Sequence, residues 1–145
     1  MPVRHIYIFD DDPAAALITQ RGLQTLLGDR FSVVSVPTPN DAWLACATGN
    51  VDLLIVDPSP HSNGAYSLLR AVKAYRATTP VLVLTAYDTP GLRAKMRDLG
   101  VDRYVAKPID LRELVPIVHA ALRPERPISG GPSLATLSLL GCPGK

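Results

Sequence analysis

Short apolar runs recur along the chain, at 5–9, 31–36, 52–56, 81–84 and 102–106. Apart from the second they are nearly continuous in Val, Ile, Leu and aromatic residues rather than alternating. Continuous runs of this length mark strands covered on both faces, as in a parallel sheet between layers of helix. We number them β1 to β5. Between and after them lie stretches with helical spacing, 13–27, 38–48, 63–77, 89–99 and 110–122, numbered α1 to α5.

The helix boundaries are written in cap chemistry. Asp12 stands before Pro13, with Gly28 after the stretch, and Thr38 stands before Pro39, with Gly49 after the end. A side-chain oxygen at the N-cap, proline at the first helical position and glycine past the last are the expected punctuation. Gly100 closes the fourth helix in the same way. Five strand–helix alternations predict an α/β fold: a doubly wound, five-stranded parallel sheet with right-handed crossovers and helices on both faces.

Residues 123–145 break this pattern. Pro124, Pro127, Gly130, Gly131, Pro132, Gly141, Pro143 and Gly144 deny them a long regular element. They read as a Pro/Gly-rich tail or linker behind a domain spanning 1–122, with only "SLATLSLLG" suited to a short docked helix. That stretch is too short for a helix-turn-helix domain. The chain is expected to be a stand-alone domain or the front of a longer protein.

Composition narrows the class without naming it. Of 145 residues, 47% are hydrophobic and 19% charged, and the formal net charge is +2. That balance belongs to a compact globule. The basic residues are scattered, so no nucleic-acid-tracking surface is expected. Cys46 and Cys142 have no metal-type spacing and read as reduced thiols. No apolar run reaches membrane-spanning length and the N-terminal stretch is too short for a signal peptide, so a cytoplasmic location is expected. His5, His61 and His119 have no second histidine or cysteine beside them and suggest no metal site.

In a doubly wound sheet, ligands bind outside the carboxyl ends of the strands. Those ends carry Asp10 and Asp11 after β1, Asp57 after β3, Thr85 after β4 and Lys107 after β5. Singly, each has a plain structural explanation. Asp12, and Asp11 with it, would cap a helix, Asp57 before Pro58 would start a turn, Thr85 would satisfy a loose backbone group, and Lys107 would be solvated. Together they bring three carboxylates, a hydroxyl and an ammonium to one edge. Carboxylates about 4 Å apart repel by ~4 kcal/mol at an effective dielectric near 20. Such a cluster is expected to hold a hard divalent cation, Mg²⁺ by its all-oxygen donors, or to raise a carboxylate pKa. With a lysine and a hydroxyl beside it, the arrangement suits a phosphoryl group carried on an aspartate.

The pieces "IFDDDP", "VDLLIVD", "NGAYSLLRAVK", "PVLVLTAY" and "LGVDRYVAKPIDLREL" make the chain, from Val3 to about Leu122, resemble the receiver domain of bacterial two-component response regulators. The resemblance implies the flavodoxin-like strand order 2-1-3-4-5. It implies that Asp57 accepts a phosphoryl group from a histidine kinase or histidine phosphotransfer protein, with no other enzymatic activity than its own phosphorylation and dephosphorylation. It makes Asp11 a direct Mg²⁺ ligand with Asp57 and the Ser59 carbonyl, and has Asp10 act mainly through water. Thr85 and Lys107 would bind phosphoryl oxygens, and Tyr104 would turn inward with Thr85 on activation. Ala15, Ile18, Pro108 and Ile109 would form the surface facing the kinase. The α4-β5-α5 face, around Leu92, Met96 and Tyr104, would change shape and offer a homodimer contact.

One piece departs from the family. Its usual pattern after the acceptor is D-x-x-x-P-x-x-x-G; here "DPSPHSNG" keeps the Pro60-to-Gly64 spacing, is one residue short before Pro60, and adds Pro58. The shortened loop is the feature favouring an alternative, a receiver-like module that docks to partners without being phosphorylated. A phosphatase with an aspartyl intermediate ranks third, since Pro58 and Ser59 supply no general acid beside Asp57.

Overall fold

The computed structural model describes residues 2–59 and 63–122. Within them the chain runs β1 (Arg4–Asp10), α1 (Pro13–Leu27), β2 (Phe31–Val36), α2 (Pro39–Ala47), β3 (Leu53–Asp57), α3 (Asn63–Tyr75), β4 (Val81–Thr85), α4 (Pro90–Leu99), β5 (Arg103–Ala106) and α5 (Leu111–Leu122). All strands are parallel, in the order β2-β1-β3-β4-β5. This is the flavodoxin-like α/β sheet that the alternation and the resemblance imply. The expected tail at 123–145, with Cys142, and the loop residues Pro60 and His61 lie outside the described residues.

The sheet is buried on both faces, which is why its strands do not alternate. On one side Ile6, Ile8, Leu53, Ile55, Leu82 and Leu84 pack under α1 and α5 with Leu23, Leu114 and Val118. On the other, Phe9, Leu54, Val56, Val81 and Val83 pack under α2, α3 and α4 with Leu69, Val72 and Met96. Neighbouring residues of one strand therefore enter different cores. Cys46 is buried in the second, where loss of hydration pushes its thiol up to about 11.

The caps predicted at Asp12 and Thr38 form, and Thr89 adds a third. Asp12 accepts from the Ala14 and Ala15 amides, at 3.0 and 3.4 Å, and the Thr38 and Thr89 hydroxyls accept from Asp41 and Leu92. Two strands start one residue later than the apolar runs suggest. The carboxylate of Asp52 accepts from the His5 amide of β1 at 2.7 Å, and that of Asp102 accepts from the Val81 amide of β4 at 2.8 Å. Each aspartate thus stands just before its strand and clasps the neighbouring one. At the other end β1, β3 and β4 run one residue further than predicted, taking Asp10, Asp57 and Thr85 into the sheet.

α2 and α3 approach closely where α3 begins. A Cβ on Gly64 would lie 2.7 Å from Pro39 Cγ, a ring atom with little freedom to yield. Gly64→Ala, which in an open helix would stabilise by about 0.5–1 kcal/mol, is expected here to destabilise by roughly 1–3 kcal/mol. Thermal or urea unfolding measures it; a stabilised variant would show that the two helices part without cost.

Candidate functional site

Strand register builds the site. Asp10 and Asp57 are paired residues at the ends of adjacent strands, and Thr85 pairs with Ala106, the residue before Lys107. Four sequence-predicted side chains, from β1, β3, β4 and the residue after β5, therefore meet at the carboxyl edge of the sheet. Lys107 Nζ lies 2.5 Å from Asp57 Oδ2 and 3.9 Å from Asp10 Oδ2. Its backbone is set by a hydrogen bond from the Lys107 amide to the Thr85 carbonyl, 2.7 Å.

The two carboxylates experience different surroundings. The Asp10 side chain is only 8% exposed, and Asp10 Oδ1 accepts from the Asp12 amide at 2.9 Å. Burial, with the charge of Asp57 adding to it, pushes the Asp10 carboxyl up to about 6 against the help of that amide and of Lys107. Asp11 is exposed and accepts from Ser59 Oγ, 3.2 Å, across the mouth of the crevice. Thr85 is fully buried; its hydroxyl donates to the Pro58 carbonyl at 3.4 Å and accepts from the Tyr87 amide at 3.0 Å.

Among the described residues no three His, Cys, Asp or Glu side chains form a group able to hold a metal ion. Asp10 and Asp57 are brought together, with Lys107 against both, while Asp11 is engaged by Ser59. The donor set still suits a hard cation. It is all oxygen, one member is a buried carboxylate held above its usual range, and Asp11 lies open to water.

The expected partner surface comes together as one hollow. Ala15, Ile18, Pro108 and Ile109 line a cavity of about 510 Å³ whose wall includes Lys107. Ile18 is 69% exposed there. Of the face expected to change shape, Leu92 and Tyr104 are half-buried, but Met96 is 1% exposed and belongs to the core beneath α4. This corrects the placement of Met96 on that surface.

Two residues near the site carried no sequence signal. Asp88 Oδ1 accepts from the Tyr104 hydroxyl at 2.9 Å, and Asp88 Oδ2 pairs with Arg93 at 2.7 Å. The Arg93 guanidinium lies over the Tyr104 ring, 4.8 Å from its centre. Burial and the Asp88 carboxylate push the Tyr104 phenol up to about 12. The spacing in "TAYD" is the only trace of this arrangement, and nothing in it points forward to Tyr104.

The raised Asp10 carboxyl has a consequence for stability. Below about pH 3 the group is largely neutral whether folded or unfolded; as pH rises the unfolded chain ionises first in water, and by about 6 the folded protein must carry the same charge buried. This contribution therefore favours folding at low pH and is lost between about 4 and 6. Asp10→Asn is expected to gain roughly 1–3 kcal/mol over the parent at neutral pH and nothing near pH 3. Urea unfolding across that range checks it, and a gain independent of pH would contradict the assignment.

The whole constellation lies inside a region, residues 6–119, that matches the response regulator receiver domain family. The transcriptional activator IrlR of Burkholderia pseudomallei is 35% identical over 118 residues, 81% of this chain and 50% of its own length. The transcriptional regulator NtrC of a Bradyrhizobium strain is 30% identical over 122 residues, 84% of this chain and 25% of its own. The chain thus spans about a quarter to a half of such curated relatives. Among solved structures, the beryllofluoride-activated receiver domain of Klebsiella pneumoniae RstA has a TM-score of 0.73 at 21% identity, covering 83% of this chain and all of that one. The response regulator TrrA of Thermotoga maritima, solved with Mg²⁺ and beryllofluoride, has a TM-score of 0.70 at 21% identity, covering 82% and 99%. These structures share the fold, and the family match over most of the chain places this protein among the response regulator receiver domains of two-component signalling systems.

Proposed function

We propose that the chain accepts a phosphoryl group on Asp57 from a histidine kinase or histidine phosphotransfer protein, and that this switches the α4-β5-α5 face. The observation that carries the reading is the contact between Lys107 Nζ and Asp57 Oδ2 in a crevice shared with Asp10. A lysine so placed meets the acceptor first and the transferred group afterwards.

In this reading an Asp57 carboxylate oxygen attacks phosphorus as the donor's bond to phosphorus breaks. The electron pair of that bond leaves with the donor, and Asp57 becomes a mixed anhydride. Lys107 exchanges its carboxylate oxygen for a phosphoryl oxygen, and the Thr85 hydroxyl leaves the Pro58 carbonyl to donate to another. Asp10, Asp11, Asp57 and the Ser59 carbonyl would hold Mg²⁺, which when bound supplies positive charge against the phosphoryl oxygens. Tyr87, half-exposed two residues beyond Thr85, would shield the anhydride from water.

The kinase-facing surface would be the hollow lined by Ala15, Ile18, Pro108 and Ile109, beside Lys107. An apolar wall next to a charged crevice suits a partner helix carrying its phosphohistidine into the site.

Incubation with acetyl phosphate and Mg²⁺ is expected to add one phosphoryl group by intact-mass measurement, and Asp57→Asn is expected to abolish it. Labelling that persists in Asp57→Asn would overturn the acceptor assignment. Removing Mg²⁺ with a chelator should stop the reaction. Ala15→Glu is expected to slow transfer from a phosphorylated partner protein by at least tenfold while leaving the acetyl phosphate reaction intact; equal loss of both would mean that the crevice itself was damaged.

A further inference from the structure

We infer that Asp88 is a latch, a positioning residue that holds Tyr104 in its resting place and so sets how readily the face above β5 switches. This deepens the proposed phospho-acceptor function and rests on it. The contacts form a closed triangle. Tyr104 Oη donates to one carboxylate oxygen of Asp88, Arg93 occupies the other, and the Arg93 guanidinium covers the Tyr104 ring. A ring on β5 is thereby gripped at its hydroxyl by the β4–α4 connection and on its face by the first turn of α4.

The latch is tied to the crevice through the chain. Tyr104 pairs with Val83, and Val83 and Thr85 alternate onto the same side of β4, so Tyr104 and Thr85 share a face of the sheet on adjacent strands. Thr85 Oγ1 accepts from the Tyr87 amide, and Asp88 is the next residue. If the Thr85 hydroxyl turns toward a group on Asp57, it must release that amide or carry it along. Either change shifts the connection on which Asp88 sits. Tyr104 is free to rotate only when its hydroxyl leaves Asp88, so the two movements oppose the same bond. Coupling of this kind needs one element with two arrangements that both sites bias. Asp88 and Tyr104 supply it.

The triangle is largely solvent-exposed, with the Arg93 side chain 56% and that of Asp88 31% accessible. A pair so placed holds weakly, which suits a latch that a single group must open. Its removal is expected to shift an equilibrium without unfolding the protein.

The test uses beryllofluoride with Mg²⁺ as the phosphoryl mimic and fluorotyrosine-labelled protein, assigned by Tyr104→Phe. Without the mimic, Asp88→Ala is expected to move the Tyr104 resonance toward the position that the parent adopts with it. Beryllofluoride should bind Asp88→Ala roughly two- to fivefold more tightly than the parent. In a Tyr104→Phe background, Asp88→Ala should have no further effect, a result that a merely structural role would not produce. Arg93→Gln, which leaves the Tyr104 bond in place, should give a smaller shift in the same direction. An unmoved resonance, equal affinities or full additivity with Tyr104→Phe would each overturn the latch. A parent that binds no beryllofluoride would overturn the acceptor function and the latch with it; a parent that binds while the variant matches it overturns the latch alone.

Discussion

Two carboxylates at the ends of hydrogen-bonded strands, Asp10 and Asp57, are held together by backbone register, and neither can retreat without breaking the sheet. Everything at the carboxyl edge answers that constraint. Lys107 reaches across from β5 to touch both, and Asp10, the more buried, keeps its proton to unusually high pH. A ladder of backbone hydrogen bonds thus stores electrostatic tension where a phosphoryl group and a cation would relieve it. Burial alone would have driven the carboxylates apart; the parallel sheet prevents this, because shifting one strand by a residue would send its apolar side chains into the wrong core.

Much of the fold was legible in the sequence because the signals were local. Apolar runs, an N-cap before proline and a glycine past the helix end each act within a few residues, and the structure follows them closely. The strand ends differed for a reason that crosses the chain. Asp52 and Asp102 sit in apolar runs, yet their carboxylates bind amides of other strands, which no local pattern reveals. The site was legible to the same degree. Asp10, Asp57, Thr85 and Lys107 come together because strand ends are readable and parallel order fixes which edge they share. Asp88 was not readable, since its importance rests on Tyr104 and Arg93 arriving from β5 and α4. Met96 was misplaced because the resemblance names a face of the fold and leaves open which α4 side chains turn into the core beneath it.

The structure also divides work between the faces of its sheet. The side under α1 and α5 leads toward the apolar hollow beside Lys107, where a donor protein would approach. The side under α2, α3 and α4 carries Thr85 and Tyr104 toward the opposite surface. On the proposed function, a message received on one face would be displayed on the other, with one strand edge between them.

The clasps made by Asp52 and Asp102 bear on the loop that departs from the family pattern. Both act at the amino ends of the strands, far from the crevice, and they anchor β3 against β1 and β5 against β4 from that side. The position of Asp57 is therefore inherited from the opposite end of the molecule rather than from the segment that follows it. One residue fewer before Pro60 leaves Asp57 opposite Asp10, because that pairing belongs to the ladder between β1 and β3 and owes nothing to the length of chain that comes after it.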